Sequence, residues 1–152
     1  MAVKVVIKLD GLESIAKAFK NKLPVVRIGV LGKDTRSDGK TNAEIGAAHE
    51  FGTSTIPQRS FLRMPLIEKL DSELDKSDLK KEDYLKEVIK TKSIVRFMKR
   101  IAKAAEAVVS QAFSTGGFGK WARWKNPNYK NNSGQLLVDT AQLRDSISSE
   151  VK

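Results

Sequence analysis

Gly52 and Pro57, five positions apart, limit what residues 41–63 can fold into more than any other pair in the chain. Proline at 57 keeps Thr55 and Ile56 out of helix, and glycine at 52 is the residue best able to take the left-handed conformation that closes one. Upstream, Thr41 and Glu44 have the T-x-x-E spacing of a capping box, which starts a helix at about Thr41. Ile45 and Ala48 are placed to face a core, with Phe51 at the margin of that face. Phe61 and Leu62 return to the core after the turn. The stretch reads as a short helix, a polar turn with an exposed Thr53-Ser54-Thr55 tip, and an Ile-Pro step into a second helix.

The chain of 152 residues is long enough for one domain with a real core. Val3, Val5 and Ile7 alternate with Lys4 and Lys8, so Met1 to Leu9 reads as a strand. Asp10 and Glu13 cap a helix in which Leu12, Ile15, Ala16 and Phe19 share one face to about Lys22, and Pro24 ends it. Val25 to Leu31 is β-branched and apolar, a second and buried strand. Gly32 to Lys40 has loop composition. Pro65 suits the first turn of a helix in which Leu66, Leu70 and Leu74 stack, and Ser77-Asp78 can end it. The longest periodic stretch runs from about Glu82 to Phe113, with a bend near Thr91–Ser93. Ile94, Phe97, Met98, Ile101, Ala105, Val108 and Ala112 form one stripe, which predicts a long amphipathic helix packed on a sheet. Gly116-Gly117 stops it. Asp139 and Gln142 carry capping-box spacing for a short helix through Leu143, and Ser146 to Val151 alternates as a last strand pairing with an earlier one. The fold class is α+β.

The chemistry of the chain is sparse. There is no cysteine, which excludes disulfides and thiolate metal sites. No apolar run approaches the ~20 residues needed to cross a bilayer, and the first residues lack the apolar core of a signal peptide, so a protein made in the cytoplasm is expected, with no membrane partner. The single histidine, His49, stands beside Glu50, but a metal site needs more ligands and an active site more partners. No catalytic residue, metal or cofactor is assigned. The formal charge of +10 favours polyanions or acidic protein surfaces as partners. Helical lysines beside Glu and Asp read most simply as a solvated face.

Residues 116–135 differ in kind. No acidic residue lies between Glu106 and Asp139, while Lys120, Arg123, Lys125 and Lys130 interleave with Phe118, Trp121, Trp124 and Tyr129. Rings with cations between them stack on bases and neutralise phosphates. The same residue types anchor protein–protein hot spots, and two tryptophans can also pin a loop to its own core. Arg59 and Arg63 carry a similar choice between a neighbour's carboxylates and the carbonyls of a nearby helix end.

The stretch Ala47-Ala48-His49-Glu50-Phe51-Gly52 with Ile56-Pro57-Gln58-Arg59-Ser60-Phe61-Leu62-Arg63 resembles a family of tailed-phage virion morphogenesis proteins, the tail-completion or head–tail joining group. Leu136-Leu137-Val138-Asp139-Thr140-Ala141-Gln142-Leu143-Arg144-Asp145-Ser146-Ile147 is similar to that family's closing L-[IV]-D-T-G-Q-L-R-x-S-I, and Ile28-Gly29-Val30 is similar to its Val-Gly-Val strand. Ala141 departs from the usual glycine. Gly119-Lys120-Trp121-Ala122-Arg123-Trp124 stands where a Pro-Leu-rich segment is frequent. No motif of the family is recognised between Glu68 and Gln111.

The resemblance implies a small twisted, mainly antiparallel sheet packed against a long helix, with extended interface loops. It implies a structural virion protein at the head–tail junction, assembled as a hexameric ring. Its partners would be neighbouring neck, connector, tail-tube or tail-terminator proteins, and genome DNA contacted non-specifically in the channel. Interface roles then fall to His49, Glu50, Phe51, Gly52, Ile56, Pro57, Arg59, Phe61, Leu62 and Arg63. Asp139, Thr140, Gln142, Leu143 and Arg144 form a helix start packed near them, and Trp121, Arg123 and Trp124 contribute from the basic loop. The alternative is a nucleic-acid-binding module that uses this loop.

Overall fold

A computed structural model of the protein describes residues 1–5, 24–32, 35–77, 81–91, 93–123, 133–138 and 141–152. The helix expected over Asp10–Lys22 and the far half of the first strand lie outside the described residues.

Three strands form one antiparallel sheet in the order β1-β2-β3: β1 (Ala2–Val5), β2 (Val26–Val30) and β3 (Ile147–Val151). The central strand is the one whose alternate residues, Val26, Ile28 and Val30, are all buried. Period-two geometry sends Arg27 to the opposite face, where it stands across from Glu150 of β3 and donates from Nη1 to Oε1 at 2.7 Å. A one-residue slip would break this ion pair and turn the core face outward, so two forces hold the same register.

Five helices complete the described residues: α1 (Asn42–Phe51), α2 (Arg63–Lys76), α3 (Lys81–Thr91), α4 (Val95–Thr115) and α5 (Gln142–Asp145). The long periodic stretch is two helices, α3 and α4, divided near Thr91–Ser93 where the bend is expected. α4 buries Ile101, Ala102, Ala105, Val108, Val109, Ala112 and Phe113 against the sheet and α2. Its alanines bring the helix backbone close to β2, and Leu66 and Leu70 of α2 close the other side of the core. The architecture is α+β, a small antiparallel sheet on a long helix.

Gly116 ends α4 in the left-handed conformation (φ 62°). Gly117 follows with φ 68° and is buried against Trp121, whose indole occupies the space a methyl group there would need. The indole thereby reaches the core. It meets Phe113 edge to face at 5.8 Å and donates from Nε1 to the Ser60 carbonyl at 3.0 Å.

The start of α5 is unusual. Its N-cap, Ala141, has φ 61° and no side-chain capping bond, and the expected cap Asp139 lies outside the described residues. An alanine in left-handed backbone costs about 1–2 kcal/mol relative to its preferred regions, which glycine avoids at the expense of a more mobile unfolded chain. Ala141→Gly is therefore expected to raise stability by about 0.5–1 kcal/mol, read from the urea midpoint.

Candidate functional site

α1 begins as its sequence dictates. Thr41 Oγ1 accepts from the Glu44 N–H at 3.2 Å, and Glu44 Oε2 accepts from the Thr41 N–H at 2.8 Å. These bonds from Thr41 hold the Glu44 carboxyl below its usual range. The buried side of α1, however, is Asn42, Gly46 and Glu50, spaced four apart. Gly46 lets the helix approach Leu143, Phe61 and Val30 closely. Ile45 packs against the core as expected. Phe51 does not: it is 58 % exposed, with the Arg63 guanidinium 5.5 Å from its ring centroid.

Glu50 is the centre of the site. Its side chain is 1 % exposed and accepts four hydrogen bonds. Oε1 receives the Ser60 hydroxyl at 2.6 Å and the Arg63 N–H at 3.1 Å; Oε2 receives the N–H groups of Phe61 at 2.9 Å and Leu62 at 3.0 Å. Arg63 Nε lies 3.9 Å from Oε1. All these partners are donors, which suits a group that only accepts.

Three of the four donors are backbone N–H groups at the start of α2. Leu62 is its N-cap and supplies no capping side chain of its own, so a residue of the preceding helix does the capping. The Met64 N–H goes to Ser60 Oγ at 3.0 Å, Pro65 has no N–H to place, and Leu66 makes the first bond back along the helix, to the Leu62 carbonyl at 3.3 Å. A negative group at a helix N-terminus is also favoured by the helix dipole.

The turn between the helices is closed by the mirror-image arrangement at the end of α1. The Arg59 N–H donates to the His49 carbonyl at 2.7 Å, and Gln58 Nε2 donates to the Glu50 carbonyl at 3.1 Å. Thr53 Oγ1 accepts from the Ile56 N–H at 2.9 Å, and the Thr53 N–H reaches the Ile56 carbonyl at 2.8 Å. Gly52 turns the chain with φ 76° and ψ 168°, a positive-φ extended form rather than the left-handed helical one expected, and a Cβ there would crowd the Gln58 backbone. Residues 53–55 project into solvent.

Arg59 links this unit to the basic stretch. Its guanidinium is buried, donating from Nε to the Ala122 carbonyl at 2.8 Å and from Nη2 to the Arg123 carbonyl at 3.4 Å. Burial lowers its pKa from the ordinary arginine value.

Several candidate interface residues are therefore interior. Glu50, Arg59, Phe61, Leu62, Trp121 and Leu143 are buried within their own chain, each held by backbone donors, carbonyls or core packing, and none is presented to a neighbour. For Trp121 the own-core role is the one observed. Phe51, Arg63, Arg123, Gln142 and Arg144 are exposed; His49, Gly52, Ile56 and Pro57 are half-buried. Trp124, Asp139 and Thr140 lie outside the described residues. Hydropathy reasoning misses Gly46 and Ser60, though the four-residue spacing of Asn42, Gly46 and Glu50 is a signal it could have used.

The geometry gives Glu50 structural work. Both its oxygens are committed to fixed donors, so it is not placed to accept a proton from His49 or to hold a metal with it. Among the described residues no group of three His, Asp or Glu side chains is gathered for a metal, and no helix is long and apolar enough to cross a membrane. Comparison with protein-family models, curated proteins and solved structures found no match.

Glu50→Gln places an amide N–H₂ against backbone donors and is expected to cost about 3–5 kcal/mol of unfolding free energy, measured by urea denaturation. Burial pushes the His49 imidazole below its ordinary 6.5, and the nearby Arg59 charge adds to the shift. Nδ1 has no hydrogen-bond partner, so a proton there is poorly accommodated. The unfolded chain thus binds this proton more readily than the folded one. The associated stability is complete above about pH 6.5 and declines as pH falls through the depressed folded value. Urea midpoints at pH 7.5 and 5.5 should accordingly show a smaller acid-side loss in His49→Gln than in the parent.

Proposed function

We propose that this chain is a structural protein of a tailed phage or prophage virion, completing the tail or joining it to the head as one subunit of a neck ring. The observation that carries the reading is spatial. The three stretches on which the resemblance rests are separate in sequence, the last of them far from the other two, yet they meet around Gly46, where Val30, Phe61 and Leu143 converge. A likeness scattered over three unconnected surfaces would have no such centre.

The reading gives the Glu50 unit a plain task. A closed loop, with the helix after it capped by Glu50 and the helix before it capped by the loop's own Gln58 and Arg59, holds a fixed shape, and the exposed part, Phe51 and residues 53–55, is offered to the next subunit. In a ring that contact is heterologous and closes on itself. The proposed ring is hexameric, sits at the head–tail junction of the virion, and meets neck, connector and tail-tube or tail-terminator proteins. The role requires no catalysis and no cofactor.

Phe51→Glu tests it, because the side chain is exposed and its loss leaves the core intact. Light scattering of the parent chain should give a discrete ring-sized mass, and the variant a monomer with an unchanged thermal midpoint. A parent chain that stays monomeric at every concentration, or a variant that still forms the ring, overturns the assignment.

A further inference from the structure

A row of exposed positive charge lies on α4, outside the site described above. Arg96, Lys99, Arg100 and Lys103 are all exposed and follow one another at i, i+3, i+4 and i+7, the spacing of a single helix face. Opposite them Ile101, Ala105 and Val108 are buried, which fixes the four cations on the outer side. The only acidic residue in α4 is Glu106, half-buried and accepting from Ser149 Oγ at 2.6 Å. Arg96 also holds α3 to α4 through Glu87 at 2.7 Å, and exposed Lys90 stands just before the bend. Beyond Lys103 the same face continues through Ala107, Ser110 and Ser114, all small.

We propose that this face of α4 binds the phosphate backbone of duplex DNA without reading its sequence. Four cations spread over about 10 Å of helix match a rod carrying one charge per roughly 1.7 Å. The residues that follow on this face, Ala107, Ser110 and Ser114, are shorter than the cations and do not themselves hold such a rod away. An acidic protein would also be attracted, but the one exposed large apolar side chain of α4 is Val95, and none of its exposed residues is aromatic, the kind that anchors a protein interface. Hydroxyl and basic side chains are the usual partners of phosphate oxygens. The burial of Trp121 points the same way, because it withdraws one ring from the stacking surface that the 116–135 stretch offers in sequence. The proposal does not rest on the neck reading.

The test is fluorescence anisotropy with a labelled 30-base-pair duplex, titrated with the full chain between 50 and 200 mM salt. The parent is expected to bind two unrelated sequences equally and to weaken steeply with salt. Lys99→Gln/Arg100→Gln/Lys103→Gln, all at exposed positions, should weaken binding at least tenfold at 50 mM salt and reduce the slope of log K against log salt by about 2–3. Arg123→Gln should behave as the parent. The proposal is overturned by a parent that does not bind at 50 mM salt, or by a triple variant with unchanged affinity and slope. It is equally overturned if Arg123→Gln abolishes binding. A triple variant that keeps its DNA affinity but loses its ring-sized mass would assign the face to protein contact, leaving the neck reading standing and this one refuted.

Discussion

Burying a carboxylate is costly unless donors replace the water it gives up, and burying the start of a helix is costly unless acceptors do the same. In this protein each problem solves the other. Glu50 gives α2 the acceptors that Leu62 lacks, and α2 gives Glu50 a set of fixed N–H groups. The returning loop then covers the end of α1 through Arg59 and Gln58. Everything near this unit depends on its position. Ser60 must be where Glu50 and Met64 both reach it, and only then does its carbonyl meet the Trp121 indole.

The same dependence links the two halves of the core. Phe61 follows Ser60 into the interior and lies 5.2 Å from Phe113, which in turn meets Trp121. Leu143 reaches this cluster over Gly46, a position where a Cβ would stand 3.3 Å from Leu143 Cδ1 and 3.4 Å from Phe61 Cζ. A polar hub, an aromatic trio and one glycine thus set where α1, α2, α4 and α5 meet. The turn that the hub supports is exposed yet held at its base.

Much of the fold was legible because it rests on periodicity. The stripe on α4 and the leucines of α2 each follow from burying one face of a regular element, and β2 from a run of β-branched apolar residues. The capping box at Thr41 was legible because its two bonds join residues three apart. The role of Glu50 was not: hydropathy sorts residues by transfer cost, and a buried carboxylate is intelligible only once its donors, ten to thirteen residues on, are in place. Phe51 misled for the complementary reason, since an aromatic at a helix margin is read as core although Gly46 and Glu50 occupy that side. The role of Trp121 could not be fixed from composition, because a basic aromatic stretch looks alike whether its rings face inward or out.

The cross-strand partnership of Arg27 and Glu150 spans 123 residues, whereas Glu50 reaches the Phe61 N–H across 11. Loop-closure entropy grows with the logarithm of length, so closing the larger loop from an open chain costs about 2 kcal/mol more than closing the smaller. The helix–turn–helix unit is thus a local structure that a short stretch of chain can reach, while the central strand, which finds β1 close by in sequence, waits for its second partner, β3, far along the chain. Once helices α1, α2 and α4 are packed, most of that distance is already spanned by ordered chain. The contact order of the protein is divided accordingly, with its polar hub at the near end and the pairing of β2 with β3 at the far end.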